Sequence, residues 1–250
     1  LNNFNRFGLL SLYIPGNGTA GNFFFDDLSY TADTPTPEPT DFQWNRNGPG
    51  SWNVSDNWNL STVPDSVDNG AILGGAITAP STVFLEDDVT VKSIQFDNAN
   101  TYNVAGSGGV TLAADTATMP SIQVVQGNHQ FQTTVDLNMD AMLEIAAGST
   151  LMFNNALNLN GNTLSKTGDG TAEINNILNT GGGSFTVMNG TLAGGGELGG
   201  DVENSGGLLA PGNSSSLLLV GSGNADRANA AYVEGVTVPE PGGVTLCGIG

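Results

Sequence analysis

The feature that most restricts the fold of this chain is a recurring series of short alternating apolar pairs. In each pair two apolar residues lie two positions apart, so both point to the same side of an extended strand. Gly- and Asn-rich segments, which tolerate the positive φ of tight corners, separate the pairs. The pairs are Val89/Val91, Ile94/Phe96, Tyr102/Val104, Val110/Leu112, Ile122/Val124, Val135/Leu137, Leu143/Ile145, Leu151/Phe153, Leu157/Leu159 and Phe185/Val187. The series predicts an all-β fold built from many short strands.

Two all-β architectures accommodate strands this short, a β-sandwich and a β-solenoid. Similarity between segments favours the solenoid, because a Thr-Leu pair recurs at Thr150-Leu151, Thr163-Leu164 and Thr191-Leu192. We predict a right-handed parallel β-helix, since parallel crossover connections are nearly always right-handed. About 20 residues per coil would give about seven coils between residues 83 and 220, with a length of about 30 Å.

Composition divides the chain into four segments. Residues 1–32 contain two strand-like runs and are interpreted as the C-terminal strands of a truncated β-sandwich. Residues 33–41 alternate proline with threonine and glutamate, which predicts a semi-extended linker. Residues 42–222 form the predicted β-solenoid, with a Trp-containing N-terminal cap. Residues 223–250 are a polar linker followed by a short tail.

The charge of the chain restricts its partners. It has 24 acidic and 5 basic residues, with a formal net charge of −19. Phosphate backbones are bound by clusters of Lys and Arg, and the sequence contains no such cluster. Nucleic acid and anionic membrane surfaces are therefore unfavourable partners. The single cysteine, Cys247, excludes an intramolecular disulfide, so the fold depends on its apolar core.

Two phrases resemble the passenger-associated strand repeats of autotransporter-type proteins. Leu164–Thr171 is similar to the L-x-K-x-G-x-G-T phrase of these repeats. Gly190–Val202, followed by Leu208–Ser214, resembles their closing phrase, which begins with G-T-L and ends with L-A-P-G-N-S. The resemblance implies a parallel β-helix on the cell exterior and implies no chemistry. Thr171–Ile174 departs from the usual apolar continuation, which leaves the coil register there open.

Val238, Pro239, Glu240 and Pro241 precede an uncharged run of small and apolar residues, which resembles the PEP-CTERM sorting signal of exported bacterial proteins. In that family the triplet precedes a membrane-spanning helix and an arginine cluster, and a dedicated envelope protease processes the tail. Because this tail is too short to span a bilayer and Leu1 replaces an initiator Met, we expect a fragment cut at both ends. The resemblance implies an extracellular or cell-envelope location, with transient membrane anchoring by the tail.

Four aspartates are candidates for binding structural calcium. Asp26 and Asp27 lie in Asn22–Tyr30, which resembles the last strand of carbohydrate-binding jelly-roll modules, where structural calcium is common. An ordinary hairpin is the alternative for that run. Asp136 and Asp140 are spaced like the first ligands of a calcium loop, but the glycine and glutamate that an EF-hand needs further on are missing. A solvated strand face is the alternative for this pair.

The sequence predicts no catalytic residue and no other cofactor. His129, the single histidine, is interpreted as a corner residue entering a strand, and no Gly-x-Ser-x-Gly elbow accompanies it. Gly194–Gly199 matches the dinucleotide fingerprint G-x-G-x-x-G, but the Gly-rich residues that follow cannot begin the required helix. Glycosidase or lyase chemistry would need two facing carboxylates on adjacent coils, and the sequence leaves that pairing open.

Trp44, Trp52 and Trp58 allow two interpretations. They can close the end of the solenoid against water, which we favour, or they can stack on sugar rings.

These features predict an exported, non-enzymatic cell-surface or matrix protein whose solenoid is a structural or adhesive spacer. The alternative is a β-helix protein that binds or degrades polysaccharide. The expected partners are the envelope protease that acts on the tail and, in the alternative, an extracellular polysaccharide.

Overall fold

The structure is a computed structural model and describes residues 41–115, 118–211 and 219–220. The chain divides into two compact units, Leu1–Glu38 and Pro39–Gly250, and every described strand belongs to the second unit. The predicted β-sandwich remnant and the sorting residues lie outside the described residues.

The described residues form 20 strands and two single-turn 3-10 helices, Ser55–Asn57 and Asn59–Ser61. The strands are β1 (Asp41–Gln43), β2 (Gly50–Ser51), β3 (Ser66–Leu73), β4 (Ser81–Leu85), β5 (Val89–Asp97), β6 (Tyr102–Gly106), β7 (Val110–Leu112), β8 (Ser121–Gln126), β9 (Asn128–Phe131), β10 (Val135–Leu137), β11 (Ala141–Ile145), β12 (Thr150–Phe153), β13 (Leu157–Asn158), β14 (Thr163–Thr167), β15 (Thr171–Ile174), β16 (Ile177–Val187), β17 (Thr191–Gly194), β18 (Glu197–Asn204), β19 (Leu208–Pro211) and β20 (Leu219–Val220).

The coils stack into three faces. Face 1 is an eight-stranded sheet in the order β19-β17-β15-β12-β9-β6-β4-β2. Face 2 contains β7, β10 and β13 together with the first parts of β5, β16 and β18. Face 3 contains β8, β11 and β14 with the second parts of the same three long strands, and it continues through β3 to β1. The long strands therefore run across the corner between faces 2 and 3.

The register of face 1 gives the length of a coil. Asn128, Thr150, Thr171 and Thr191 are paired one to the next and lie 22, 21 and 20 residues apart along the chain. These spacings agree with the predicted coil of about 20 residues. The parallel pairings form a β-solenoid of about seven turns with almost no helix, and this confirms the predicted fold class.

The apolar pairs predicted from the sequence form the core. Both members of every pair are at most 1% exposed. One inward column on face 2 runs through Val89, Val110, Val135, Leu157 and Leu178, each paired in register with the next. Each coil therefore buries the apolar side chains of its neighbours, and this burial is the main term that stabilises the stack.

Strands β1 and β3 precede the coils that were counted from residue 83 in the sequence. Asp41, assigned to the linker, lies in β1, which pairs with β3. β3 contributes the buried side chains of Ala71 and Leu73, which are not among the apolar pairs named from the sequence. Asp68-Asn69-Gly70 has the composition of a turn, and the structure places an irregularity in the pairing of β3 with β5 at this point. These turn-like residues are the reason why the apolar pair of β3 was not named from the sequence.

The open register at Thr171–Ile174 is settled by the pairing of β15 with β12. Ala172 and Ile174 are buried opposite Leu151 and Phe153. The outward positions of this strand carry the polar residues, so the alternation is kept although the usual apolar sequence is absent.

Candidate functional site

Three tryptophans close the N-terminal end of the described solenoid. Trp44, Trp52 and Trp58 are at most 1% exposed. The Trp58 ring lies edge-on to the other two, with centroid distances of 5.2 Å to Trp44 and 4.7 Å to Trp52. The indole N–H groups of Trp44, Trp52 and Trp58 donate to the backbone oxygens of Arg46, Pro64 and Trp52, at 2.8, 3.0 and 2.7 Å. The cluster is an apolar closure with satisfied polar groups.

This burial corrects the glycan-stacking alternative for Trp44, Trp52 and Trp58. A sugar ring can stack only on an aromatic face that solvent reaches, and these three rings are buried. The sequence could not separate the two roles, because a cap and a sugar platform both use aromatic rings near the edge of a sheet. All three rings belong to the cap.

Asp136 and Asp140 each accept a hydrogen bond from the following coil. Asn158 Nδ2 donates to Asp136 Oδ1 at 2.8 Å, and the Thr163 backbone N–H donates to Asp140 Oδ1 at 2.8 Å. The described ranges contain no group of three or more His, Cys, Asp or Glu side chains that could hold a metal ion. Calcium binding at these two residues stays a prediction, and Asp26 and Asp27 lie outside the described residues.

Asp136 also begins a polar ladder on the outside of face 2. Asn158 donates to it, and Asn179 Nδ2 in turn donates to Asn158 Oδ1 at 2.8 Å. A similar contact lies beside face 1, where Asn154 Nδ2 donates to Gln130 Oε1 at 2.5 Å. Each amide can donate to one coil and accept from the next, so these ladders tie the coils together at the surface.

The strand register decides which outward side chains face the carboxylates. Glu144 of β11 is paired with Gln123 and Thr167, and Gln123 Nε2 donates to its carboxylate at 3.0 Å. Across the paired strand positions that the structure describes, no carboxylate is in register with another. Neutral residues between the acidic ones reduce the repulsion of like charges on adjacent strands.

His129 is buried and is the second residue of β9, so it lies inside the strand and not in the corner in which the sequence placed it. Its ring stacks on Phe96 with a centroid distance of 4.8 Å and an interplanar angle of 17°. Nδ1 accepts the Tyr102 backbone N–H at 3.1 Å, and Nε2 lies 2.8 Å from the backbone oxygen of Gln126. These partners select the neutral tautomer with its proton on Nε2. Burial lowers the pKa of His129.

Acidification is expected to destabilise the solenoid through His129. Protonation of Nδ1 would break the bond from Tyr102 and charge a buried ring, whereas the unfolded chain takes up this proton at a pKa of about 6.5. Stability should therefore fall as the pH drops from about 6.5 through the lowered pKa of the folded state. Denaturant titrations at about pH 7 and pH 5 measure the loss.

The control for this prediction is His129→Phe, which keeps an aromatic ring against Phe96 and has no titratable group. The variant should lose less stability than the natural chain over the same pH interval. An equal loss in the two proteins would contradict the assignment to His129.

Lys166 is a buried cation in the inward column of face 3. Its Nζ donates to the backbone oxygens of Gly168 and Asn189, at 2.9 Å each, and of Thr167 at 3.3 Å. The ammonium thus joins two successive coils through a group of carbonyl oxygens. Sequence reasoning found Lys166 only as part of the repeat phrase. Its two-residue spacing from the apolar Leu164 was the signal that it points inward.

Stability is expected to rise between about pH 8 and pH 10 because of Lys166. Burial lowers the pKa of its ammonium from 10.5 to about 8, against the opposing attraction of the Asp169 carboxylate. Over this interval the unfolded chain binds more protons than the folded chain, so the free energy of unfolding increases with pH, by about 3 kcal/mol at most. At higher pH the trend reverses, because burial raises the pKa of Tyr102 to about 12.

Urea denaturation at successive pH values measures this effect, with Lys166→Met as the comparison. The Met side chain has a similar length and no charge, so the variant should show no rise between about pH 8 and pH 10. The same rise in both proteins would assign the effect to another group.

A shallow cleft of about 210 Å³ lies on face 3, where it is lined by residues of β1, β3, β5 and β8. Ser93 and Ser121 are in register on β5 and β8, as are Gln95 and Gln123, so the cleft presents a hydroxyl row beside an amide row. The carboxylate-bearing Asp41 also lines the cleft. Sequence reasoning missed this feature, because outward positions on several strands come together only once the register is known.

The glycine-rich match to a dinucleotide fingerprint lies between two strands. Gly194 ends β17, and β18 runs from Glu197 to Asn204. A strand therefore stands where the fingerprint needs a helix N-terminus to face a pyrophosphate.

No protein-family model, no curated protein and no solved structure matches this chain. Within the described ranges, no helix has the length and apolar character needed to cross a bilayer.

Proposed function

We propose that this chain is an exported structural protein whose β-solenoid is a rigid spacer or adhesive element of a bacterial cell surface or matrix. The observation that carries the proposal is the continuous parallel stacking of coils, with eight strands on face 1 alone. Each coil is bound to the next by apolar burial, backbone pairing and surface amides. Such a stack is stiff, and it lengthens by about 4.8 Å with each coil.

The surface of the chain supports an extracellular location. Its net charge of −19 is unfavourable for binding nucleic acid and favourable for solubility. The resemblance of residues 238–241 to a sorting signal supports export, and the resemblance of Leu164–Thr171 to passenger repeats supports a place on the cell exterior.

A reporter fusion tests the export step. The native segment that starts at residue 223 is fused behind a reporter in the source organism, and the cells are fractionated. We expect the reporter in the envelope or the medium, and we expect a double variant, Pro239→Ala with Pro241→Ala, to retain it inside. A reporter that is free in the cytoplasm with the unaltered segment would contradict export.

The cleft on face 3 favours a second function, the binding of an extended polysaccharide. Its rows of hydroxyl and amide groups, from Ser93, Ser121, Gln95 and Gln123, can exchange hydrogen bonds with sugar hydroxyls. The rows run from strand to strand, so a linear polymer would lie along the stack.

A glycan array combined with a reducing-sugar assay tests this second function. Binding without turnover supports a binding module, and turnover supports a polysaccharide-degrading protein. Ser121→Phe should fill the cleft and abolish binding, whereas Thr150→Phe on face 1 should leave it unchanged. Absence of both binding and turnover would contradict the second function and leave the structural one.

A further inference from the structure

Four Asn-Gly pairs lie in the described part of the chain, beginning at Asn47, Asn69, Asn160 and Asn189. In such a pair the backbone nitrogen of the glycine can attack the asparagine side chain, because glycine has no Cβ to hinder the approach. The attack needs an asparagine side chain that is free to rotate and a glycine N–H that is free to lose its proton. The four pairs differ in these two respects.

Three of the pairs are protected by hydrogen bonds. The side chains of Asn47 and Asn69 are bonded to neighbouring segments. Asn160 Nδ2 donates to a backbone oxygen of the preceding coil at 3.2 Å, and the Gly161 N–H donates to the backbone oxygen of Thr180 at 2.9 Å. At Asn160 both the attacked group and the attacking nitrogen are therefore held.

The pair at Asn189 is free in both respects. Asn189 is exposed, and neither its side chain nor the Gly190 N–H has a hydrogen-bond partner among the described residues. Gly190 has φ of 70°, and a Cβ at this position would collide with the backbone oxygens of Gly168 and Gly170. Glycine is therefore required at the corner, which keeps the reactive pair in place.

Lys166 adds a positive charge to the same peptide unit. Its Nζ donates to the backbone oxygen of Asn189 at 2.9 Å, and that carbonyl is conjugated to the Gly190 nitrogen. When the nitrogen loses its proton, negative charge moves onto this oxygen. A buried ammonium already bonded there stabilises the anion, as charge-assisted donors do in oxyanion sites.

We propose that Asn189 is a site of spontaneous deamidation that Lys166 accelerates. Water or hydroxide removes the Gly190 amide proton, and the nitrogen attacks Cγ of Asn189. The new N–Cγ bond forms, the Cγ–Nδ2 bond breaks, and Nδ2 leaves as ammonia with a proton from water. Water then opens the resulting succinimide at either carbonyl and gives aspartate or isoaspartate.

Deamidation of Asn189 changes one corner of the solenoid, and the altered fraction of the protein increases with time. Either product adds a carboxylate at the corner between β16 and β17, and isoaspartate also inserts one methylene into the backbone there. The corner beside Lys166 therefore changes its charge and geometry as the protein ages. This inference does not depend on the proposed function.

Peptide mapping by mass spectrometry tests the proposal on the intact protein incubated near neutral pH. Asn160 is the internal control, because it has the same glycine neighbour in the same sample. We expect Asn189 to lose its amide about tenfold faster than Asn160, or more. Equal rates at the two positions would overturn the proposal.

Lys166→Met tests whether the charge of Lys166 accelerates the deamidation of Asn189, or whether the rate follows from the exposure of Asn189 alone. Loss of the charge-assisted bond should slow deamidation of Asn189 by about tenfold. If Lys166 only stabilised the fold, the Met substitution would have the opposite effect, because loss of the lysine would loosen the corner and speed the reaction. Lys166→Arg should restore part of the rate, since it keeps the charge. An unchanged or faster rate in a folded Met variant would overturn the role of Lys166. If that variant does not fold, Lys166→Gln, which is also uncharged, takes its place under the same criterion.

Discussion

Replacing Trp52 by alanine is expected to destabilise the solenoid by about 3–5 kcal/mol. Trp52 is fully buried, lies against Trp58 at 4.7 Å, and accepts the Trp58 indole N–H on its backbone oxygen. Removing the ring leaves a cavity in the cap and lets water reach the first coil. Denaturation followed by circular dichroism measures the loss, and hydrogen exchange should show that β2 and β4 lose protection first.

Val54→Ala is the matched control for the cap. Val54 follows Trp52 by two residues and is 47% exposed, so its truncation should change the free energy of unfolding by about 0.5 kcal/mol or less. If Trp52→Ala were as stable as Val54→Ala, the tryptophans would not be the closure of the solenoid. The alternative of surface rings that stack on sugars would then have to be reconsidered.

Replacing Phe131 by alanine is expected to cost about 3–5 kcal/mol as well. Phe131 points into the core from β9, with ring centroids at 5.6 Å from Phe96 and 5.7 Å from Phe153. Its loss would open a cavity shared by three coils. Because each coil depends on its neighbours, the effect should lower the unfolding midpoint of the whole stack.

A Phe→Ala substitution at an outward position of face 1 provides the control. Phe84 lies on β4 of face 1, but it points outward and is 45% exposed. Phe84→Ala should therefore change stability by about 0.5 kcal/mol or less. Equal losses at Phe84 and Phe131 would mean that the inward and outward positions of face 1 have been assigned wrongly, since a shift of one residue exchanges them.

The apolar core could be predicted because the alternation that indicates it involves only residues close together in the sequence. Alternation at pairs such as Leu143/Ile145 requires only neighbouring residues and the two-residue period of a strand. The pair Ala71/Leu73 of β3 was not named from the sequence, because it follows Asp68-Asn69-Gly70, which has turn chemistry although the chain there takes part in the sheet. Local propensity was overridden at that point by pairing with β1 and β5.

The site chemistry was less predictable because it depends on register. Asp136 had the spacing of a calcium ligand, but the structure places it beside Asn158, which lies one coil away. In the sequence, His129 was noted as the single histidine and Lys166 as part of a repeat phrase, and the inward spacing of Lys166 from Leu164 was not used. The partners that surround them, such as Tyr102 and Asn189, lie more than 20 residues away along the chain.

By itself, the order of residues determined that this chain is all-β, that it coils with a period near 20 residues, and that both members of each named apolar pair point inward. Those properties follow from alternation and corner chemistry, which act over a few bonds. Only the tertiary structure decided that the tryptophans face inward as a cap, that acidic side chains meet neutral ones, and that Lys166 lies on the carbonyl of Asn189. These arrangements depend on which coil position stacks on which, and a one-residue shift would change every one of them.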